Sequence, residues 1–257
     1  MKFVFFLASY FFVVSAQAQQ QFQLAAPFIR YKTIFFDEAL SVPLVFEQPG
    51  AVIRYSVDQS VPGEKSQPYK KPISIKHTTT IKARAFSRGF HPSEIEEATF
   101  IKNGIPLIVD FQPPNQLYAG TGINTLTDNI GGVTEHTSKT WLGYNTDSVS
   151  IIIKPNDRAV LQELLFNTLQ NQAGWIFHPS KALIYIKNET GTNWQPLQTI
   201  TIPTHKNDAI LCKAFRISLG HIKASQLKLV LFNTILPTWH QGAHSNGWIF
   251  IDEIKVY

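Results

Sequence analysis

Four short runs of β-forming residues, separated by turn-forming residues, dominate the part of the chain between residues 49 and 101. The runs are Val52–Val57, Ile73–Ile75, Thr79–Phe86 and Glu97–Ile101. Pro62-Gly63 and Arg88-Gly89 lie between runs, and such pairs favour turns. Apolar and polar residues alternate along 81–86, which is typical of a strand with one face towards solvent. The pattern predicts a small antiparallel β-sandwich.

This stretch resembles the small β-sandwich of chitobiases and β-hexosaminidases. The matching residues lie within Pro49–Tyr55, Asp58–Pro62, Ser66–Tyr69, Pro72–Ile75, Thr80–Phe86 and Gly89–Ser93. The resemblance implies an Ig/fibronectin-like accessory domain of sugar-processing enzymes that performs no chemistry itself. With further strands expected around 31–36 and 42–46, we place this domain at residues 22–103.

The first 18 residues have the pattern of a secretory signal peptide. A lysine at position 2 precedes an apolar run over 3–14, and Ala16-Gln17-Ala18 provides a small-x-small cleavage site. We therefore expect residues 1–18 to be removed and the protein to be exported, to a periplasm or outside the cell. No later segment reaches the roughly 20 apolar residues of a membrane-spanning helix. The single cysteine, Cys212, excludes an intramolecular disulfide.

The remainder of the chain is also predicted to consist of strands. The expected strands are Leu107–Asp110, Val149–Ile153, Leu161–Leu169, Leu183–Ile186, Gln198–Ile202, Ala214–Ile217, Leu227–Phe232 and Trp248–Tyr257. Residues 157–170 are the ambiguous segment, because helix-forming residues follow Asp157 and their propensity favours a helix. Propensity is a weak prior, and the segment lies among strands, so we assign it as a strand.

Residues 105–257 resemble the discoidin-like, coagulation factor type C domains, which are also called family 32 carbohydrate-binding modules. The resemblance is carried by Leu126–Gly132, Trp141–Tyr144, Asp147, Gly174–Pro179 and Gly247–Tyr257. It implies a galactose-binding-like jelly-roll β-sandwich, so the expected fold class is all-β throughout. The two modules together resemble the tail of a bacterial family 20 hexosaminidase, without the catalytic barrel that normally precedes it.

An adjacent acidic pair, Asp252-Glu253, resembles the catalytic pair of family 20 hexosaminidases. Such a pair should end a strand of a parallel barrel, whereas here it falls inside the last predicted antiparallel strand. We therefore expect no enzymatic activity. The net charge of +5 is spread along the chain without a basic stripe, which argues against nucleic acid as a partner.

The resemblance to discoidin-like domains implies a structural calcium ion. The positions that match its ligands are Asp128, in the loop Leu126–Gly132, and Glu253, on the last strand. Ca²⁺ takes six to eight oxygen ligands, which carboxylates and loop carbonyls supply. The alternative is that Asp128 makes an Asx turn and that Glu253 is an ordinary glutamate.

Sugar recognition needs an exposed aromatic face with polar groups beside it, and such sites lie on loops. Trp141, Trp175 and Trp248 fall in family motifs and are expected in the core. The loop Leu236–Gly247 is rich in polar residues and contains a further tryptophan. The predicted sugar contacts are Trp239, His240, His244 and Asn246, followed by Tyr144 and Trp194. The spacing of His240 and His244 would suit zinc only on a helix, which the neighbouring proline and glycines exclude.

These features predict an exported, non-catalytic carbohydrate-binding accessory protein. The resemblance implies N-acetylhexosamine, galactose-type or chitin-like glycans as ligands and a glycoside hydrolase as an associated protein. The alternative is a structural or docking module, for a hexosaminidase or an envelope assembly, that binds no sugar. Fold alone does not decide between these functions.

Overall fold

The structure is a computed structural model and describes residues 21–156, 159–189 and 191–257. The predicted signal peptide, residues 1–18, lies outside the described residues. No helix among the described residues is long and apolar enough to cross a membrane. Within the described ranges, the helical elements are two 3₁₀ turns, Gln116–Tyr118 and Gln172–Gly174, and strands provide the rest of the regular structure.

Nine strands lie between Phe28 and Lys102. They are β1 (Phe28–Ile29), β2 (Phe35–Phe36), β3 (Leu40–Val42), β4 (Leu44–Val45), β5 (Val52–Ser56), β6 (Gln67–Pro68), β7 (Ile73–Ile75), β8 (Thr79–Phe86) and β9 (Glu96–Lys102). A five-stranded sheet has the order β2-β9-β8-β5-β6, and β1-β4 and β3-β7 form two smaller sheets. We call this unit the first sandwich. All four runs that open the sequence analysis are strands, which confirms the prediction.

The pattern of burial in β8 shows why the alternating sequence forms a strand. Ile81, Ala83 and Ala85 are fully buried, while Lys82 and Arg84 between them stay partly exposed. Successive side chains of a strand point to opposite faces, so one face enters the core and the other meets solvent. Asp58 accepts a hydrogen bond from the Ser60 amide at 3.1 Å, as expected for a residue that caps the turn after β5.

Nine further strands follow and form what we call the second sandwich. They are β10 (Leu107–Phe111), β11 (Leu142–Tyr144), β12 (Ser148–Pro155), β13 (Leu161–Gln170), β14 (Lys181–Lys187), β15 (Gln195–Thr201), β16 (Leu211–Ile222), β17 (Gln226–Phe232) and β18 (Ile249–Val256). One sheet has the order β10-β12-β17-β14-β15 and the other β11-β18-β13-β16. A single core draws on both sheets, with Ile151 and Leu229 from one and Phe166 and Ile251 from the other. The all-β prediction is confirmed.

Strand β13 resolves the ambiguous segment. Leu164 and Phe166 enter the core of the second sandwich, whereas Leu165 between them packs in the core cluster of the first sandwich. All three are fully buried. A strand covered on both faces becomes a continuous apolar run without alternation, which resembles a buried helix at the sequence level.

The first sandwich packs on the outer face of the four-stranded sheet. Ala214 of β16 joins Leu165 in the core cluster of the first sandwich. The Ile34 amide donates to the Gly131 carbonyl at 3.2 Å, which ties the loop 126–132 to the first sandwich. This loop therefore lies between the two sandwiches.

A β-bulge in β18 brings two consecutive carboxylates to the same face. Asn167 of β13 pairs with Glu253, but the next residue, Thr168, pairs with Ile251, so Asp252 is an extra residue in β18. Ile251 and Ile254 both enter the core. Since a bulge breaks the alternation of side chains, Asp252 and Glu253 both point outwards, towards the loop 126–132.

Candidate functional site

One end of the second sandwich collects the loops that contain most of the predicted sugar contacts. Ser148, at the start of β12, and Lys181, at the start of β14, both pair with Phe232 at the end of β17. Gln170, at the end of β13, pairs with Leu211 at the start of β16. The loops 112–141, 145–147, 171–180, 202–210 and 233–248 therefore meet at this end, which we call the loop end.

Trp239 is the tryptophan with the most accessible side chain. All five tryptophans lie in the described residues, and Trp239, at 42%, is the one that is exposed. Its ring lies 6.1 Å from that of Phe177, centroid to centroid, in a tilted arrangement. Phe177 is buried, so the indole packs against the protein interior on this side while 42% of Trp239 stays accessible.

His240 is part of the support for this loop. Its Nδ1 accepts a hydrogen bond from the Gly242 amide at 3.1 Å, so its Nε2 carries the proton and donates to the Gln172 carbonyl at 2.9 Å. The side chain is buried and packs edge-on against Trp175. Since both ring nitrogens have protein partners, His240 positions Trp239 and leaves no nitrogen for a sugar hydroxyl.

His244 and Asn246 lie in the same loop but differ in solvent exposure. His244 is exposed and has a φ of +71°, a region that few residues other than glycine adopt. Asn246 is half-buried, and its Nδ2 donates to Asp147 Oδ1 at 2.7 Å. This bond fixes the orientation of the Asn246 side-chain amide, two residues after the exposed His244.

The structure does not bring Tyr144 or Trp194 into this group. Tyr144 is buried, and its hydroxyl donates to the Gln112 carbonyl at 3.0 Å inside the protein. Trp194 follows β14, at the end of that strand opposite to Lys181, about 20 Å from the loop end at 3.3 Å per residue. The Lys228 ammonium lies 4.8 Å above the Trp194 ring and covers one of its faces.

Sequence reasoning missed the accessible aromatic residues of the family motifs. Trp141 is fully buried, as expected, but Trp175 and Trp248 are only half-buried. Trp248 lies 5.3 Å from Tyr118 in an edge-on arrangement, and Tyr118 lies 6.4 Å from His136. These rings extend the aromatic surface of the loop end beyond Trp239. A motif tryptophan gives no signal of partial exposure until neighbouring loops are placed.

The donor set around Glu253 does not fit a calcium ion. Glu253 is fully buried; its Oε1 accepts from the Lys255 ammonium at 2.6 Å and its Oε2 accepts from the Asn129 amide at 3.0 Å. Asp128 Oδ1 accepts from the Ile130 amide at 2.9 Å, and its Oδ2 from the Thr121 hydroxyl at 3.2 Å. Every carboxylate oxygen at the two predicted ligands therefore has a proton donor.

The loop carbonyls are also used within the protein. Those of Leu126, Asn129 and Gly131 accept hydrogen bonds. The donors are the Ile254 amide, the Thr33 hydroxyl and the Ile34 amide, respectively. Among the described residues, no three side chains of His, Cys, Asp or Glu form a group that could hold a metal ion. A cation would have to displace Lys255 and break contacts with the first sandwich.

The acidic pair is shielded from any substrate, since Asp252 and Glu253 are both fully buried. Asp252 Oδ2 accepts from the Gly132 amide at 2.6 Å and Oδ1 from the Asn167 side-chain amide at 2.7 Å. Burial raises the pKa of Asp252 to about 7. Burial also raises the pKa of Glu253, which the Lys255 ammonium lowers again in part. Both oxygens of Glu253 accept hydrogen bonds, as in an ionised carboxylate.

A separate cleft of about 550 Å³ lies between the two sandwiches. Its lining includes Tyr31, Glu96, Cys212, Lys213 and Arg216, and none of the predicted sugar contacts. Burial raises the pKa of Glu96. Gly132, Thr134 and Ile210, which belong to two loops of the loop end, also line this cleft, so it borders the loop end.

The sequence of the first sandwich matches a known family. The model of the chitobiase/beta-hexosaminidase C-terminal domain family matches residues 35–97. The resemblance stated for the first sandwich is thereby confirmed. No curated protein sequence matches the chain.

Several solved structures are similar to this chain. The family 32 carbohydrate-binding module of Streptococcus pneumoniae EndoD is 18% identical, with a TM-score of 0.40, over 60% of this chain and 98% of that one. The second module of that family in a family 31 glycoside hydrolase, solved with bound GalNAc, is 12% identical, with a TM-score of 0.39, over 60% and 97%. The C-terminal domain of a Bacteroides fragilis chitobiase is 17% identical, with a TM-score of 0.37, over 59% and 92%.

Proposed function

We propose that this protein is an exported, non-catalytic carbohydrate-binding accessory protein whose sugar site is the loop end of the second sandwich. The observation that carries the proposal is the exposed indole of Trp239, supported by the buried ring of Phe177. A flat aromatic face with polar neighbours on rigid loops is the arrangement that binds the C–H-rich face of a sugar ring. The family match of residues 35–97 supports a role beside sugar-processing enzymes.

The proposed set of sugar contacts is smaller than the set that the sequence predicts. Trp239 stacks on the sugar, while the His244 imidazole and the Asn246 carbonyl hydrogen-bond to its hydroxyl or acetamido groups. His240 holds Trp239 in place through its bonds to Gln172 and Gly242. The unusual backbone of His244 is consistent with this role, because strained residues occur preferentially at binding sites.

The proposed ligands are glycans ending in N-acetylhexosamine or galactose, and chitin-like oligomers. Polar contacts on one side of a single stacking tryptophan suit a terminal sugar better than a long polysaccharide chain. Trp175 and Trp248 are half-buried and lie in loops of the same end, so they are the proposed contacts of a second sugar unit.

A glycan-array screen of the purified protein, in calcium and in EDTA, tests the proposal. We expect binding to a defined set of glycans and its loss in Trp239→Ala. Trp194→Ala is the matched control, because it removes a tryptophan from the opposite end of the sandwich and should leave binding unchanged. A blank array with a folded wild-type protein would refute the proposal.

A blank array would favour the docking role for a hexosaminidase or an envelope assembly. Exposed apolar residues at the loop end, Leu117 at 83% and Ile123 at 74%, are the surface that such a role would use. Co-purification with a family 20 hexosaminidase that Leu117→Ser abolishes would then identify the partner. If the array shows binding, the same variant should leave that binding intact.

A further inference from the structure

A buried lysine occupies the place where the resemblance implies a calcium ion. Lys255 is only 2% exposed although it carries a charge. Its Nζ lies 2.6 Å from Glu253 Oε1 and donates to Asn129 Oδ1. Lysine is almost never fully buried unless it is paired. An ammonium group at this point is therefore a specific feature of this site.

The ammonium group meets the same electrostatic need that a bound cation would meet. Asp128, Asp252 and Glu253 all accept hydrogen bonds from backbone amides of one loop: Asp128 Oδ1 from Ile130 at 2.9 Å, Asp252 Oδ2 from Gly132 at 2.6 Å and Glu253 Oε2 from Asn129 at 3.0 Å. Lys255 is the cation beside this cluster, with its Nζ 2.6 Å from Glu253 Oε1. Without this positive charge, the acidic cluster would be uncompensated in a region of low dielectric constant.

The same cluster connects the two sandwiches. Lys255 Nζ lies 5.3 Å from the centre of the Phe35 ring in the first sandwich, within the range of a cation–π contact. Asn129 Nδ2 donates to Asp37 Oδ1 at 3.2 Å, and the Asn129 carbonyl accepts from the Thr33 hydroxyl at 2.8 Å. Asn129 has a φ of +63°, which turns its carbonyl and side chain towards the first sandwich.

We propose that the Lys255 ammonium replaces the structural calcium ion at this loop and makes the junction between the two sandwiches independent of metal. Its bond to Glu253 compensates that carboxylate within β18, its bond to Asn129 holds the loop against this strand, and its contact with Phe35 joins the first sandwich to both. Since every loop carbonyl named above already has a protein donor, the loop needs no metal to fix its conformation.

Thermal unfolding of the purified protein in EDTA and in 2 mM CaCl₂ tests this proposal. We expect the same Tm in both buffers. Lys255→Met should lower the Tm by about 10 °C in EDTA, because it leaves Glu253 charged and unpaired in the interior. Lys82→Met is the matched control: it removes a lysine from a partly exposed ion pair with Glu97, 3.4 Å long, and should shift the Tm by less than about 2 °C.

A double variant keeps the test decisive if Lys255→Met fails to fold. Glu253→Gln combined with Lys255→Met removes both charges, so it should be more stable than Lys255→Met alone. A Tm of the wild-type protein that calcium raises well above its value in EDTA would overturn the proposal. So would a Lys255→Met variant as stable as the wild type. These measurements use no glycan, so their failure is distinguishable from failure of the proposed function.

Discussion

Gly131 faces the carboxylate of Asp252 at such short range that no side chain fits between them. A Cβ atom built on Gly131 would lie 2.2 Å from Asp252 Oδ2. The same oxygen accepts the Gly132 amide at 2.6 Å, so the loop 126–132 is drawn onto the bulge in β18. The close approach of loop and strand, and with it the junction of the two sandwiches, depends on this pair.

Gly131→Ala should therefore destabilise the protein by about 2 kcal/mol, because the added methyl group forces Asp252 away from the Gly132 amide. Urea unfolding measures the loss. Gly63→Ala is the matched control, since no atom lies within 4 Å of a Cβ built there, and its stability should stay within about 0.5 kcal/mol of the wild type. Equal stability of the two variants would show that the loop can move away without cost.

Asp252→Asn should be tolerated much better than Asp252→Ala. Burial raises the pKa of Asp252 to about 7, so the native state at pH 7 already accommodates the neutral side chain. An asparagine still accepts from the Gly132 amide. Its NH₂ group replaces the oxygen that accepts from Asn167 Nδ2, so the Asn167 amide has to turn over and present Oδ1, which has no hydrogen-bond partner among the described residues. Alanine leaves the Gly132 and Asn167 donors unpaired. We expect costs of less than about 1 kcal/mol and about 3 kcal/mol, respectively, in urea unfolding at pH 7.

His178 should make the protein less stable in mild acid. Burial, with the nearby Lys213 ammonium, lowers the pKa of His178 to about 4, below its unfolded value of about 6.5. Between these values the unfolded state binds the proton and the native state does not. The free energy of unfolding therefore falls as the pH drops from about 6.5 to 4, by up to roughly 1.4 kcal/mol per pH unit.

The His178→Asn variant isolates this contribution. Its free energy of unfolding, measured at several pH values, should fall less steeply below pH 6.5 than that of the wild type. His77→Asn, at an exposed position of the first sandwich, should keep the wild-type profile. Parallel profiles for His178→Asn and the wild type would contradict the prediction.

Tyr144→Phe should reduce stability without affecting sugar binding. The Tyr144 hydroxyl donates to the Gln112 carbonyl, and removing it leaves a partly buried acceptor unpaired, at a cost of about 1 kcal/mol. Chemical unfolding and the glycan array, applied to the same preparation, check both halves. Loss of binding in a folded Tyr144→Phe variant would mean that the sugar site extends to this strand.

His244→Gly should weaken sugar binding without reducing stability. Glycine adopts the φ of +71° without steric cost, so the variant should be as stable as the wild type or up to about 1 kcal/mol more stable. Glycan affinity should fall, because the imidazole is a proposed contact. His221→Gly is the matched control: its φ is +60°, but it lies at the opposite end of the second sandwich, and binding should persist. Unchanged affinity in His244→Gly would remove this residue from the site.

Much of the fold can be predicted from the sequence, because the signals that specify it are local. The alternation of apolar and polar residues in β8 and the turn residues between the first four runs are patterns of a few adjacent residues. Both can therefore be recognised without knowing the partner strand. β13 could be assigned as a strand only from the strands predicted on either side of it, because an apolar run that is covered on both faces shows no periodicity. The bulge at Asp252 was beyond prediction, since it is defined by the register with β13.

In the candidate site, too, the sequence predicted some features and the structure alone revealed others. The sequence pointed to the loop containing Trp239, His244 and Asn246, because an aromatic residue among polar and turn residues is unusual in a loop. It could not show that the partners of His240 are Gln172 and Gly242, or that Tyr144 faces inwards. Those outcomes depend on which backbone groups come within 3 Å after folding.

By itself, the sequence determined that the chain consists of strands, that residues 35–97 match the chitobiase/beta-hexosaminidase C-terminal domain family, and that the loop before the last strand sets a tryptophan among polar residues. Only the tertiary structure decided how the charges at the junction are balanced. Glu253 and Lys255 are two residues apart on one face of β18, but Asn129 is 124 positions from Glu253 in the chain, and folding brings its loop onto this strand. In the sequence, Glu253 looks the same whether it binds calcium or pairs with a buried ammonium group. The two cases differ only in which cation the folded protein places beside its carboxylate.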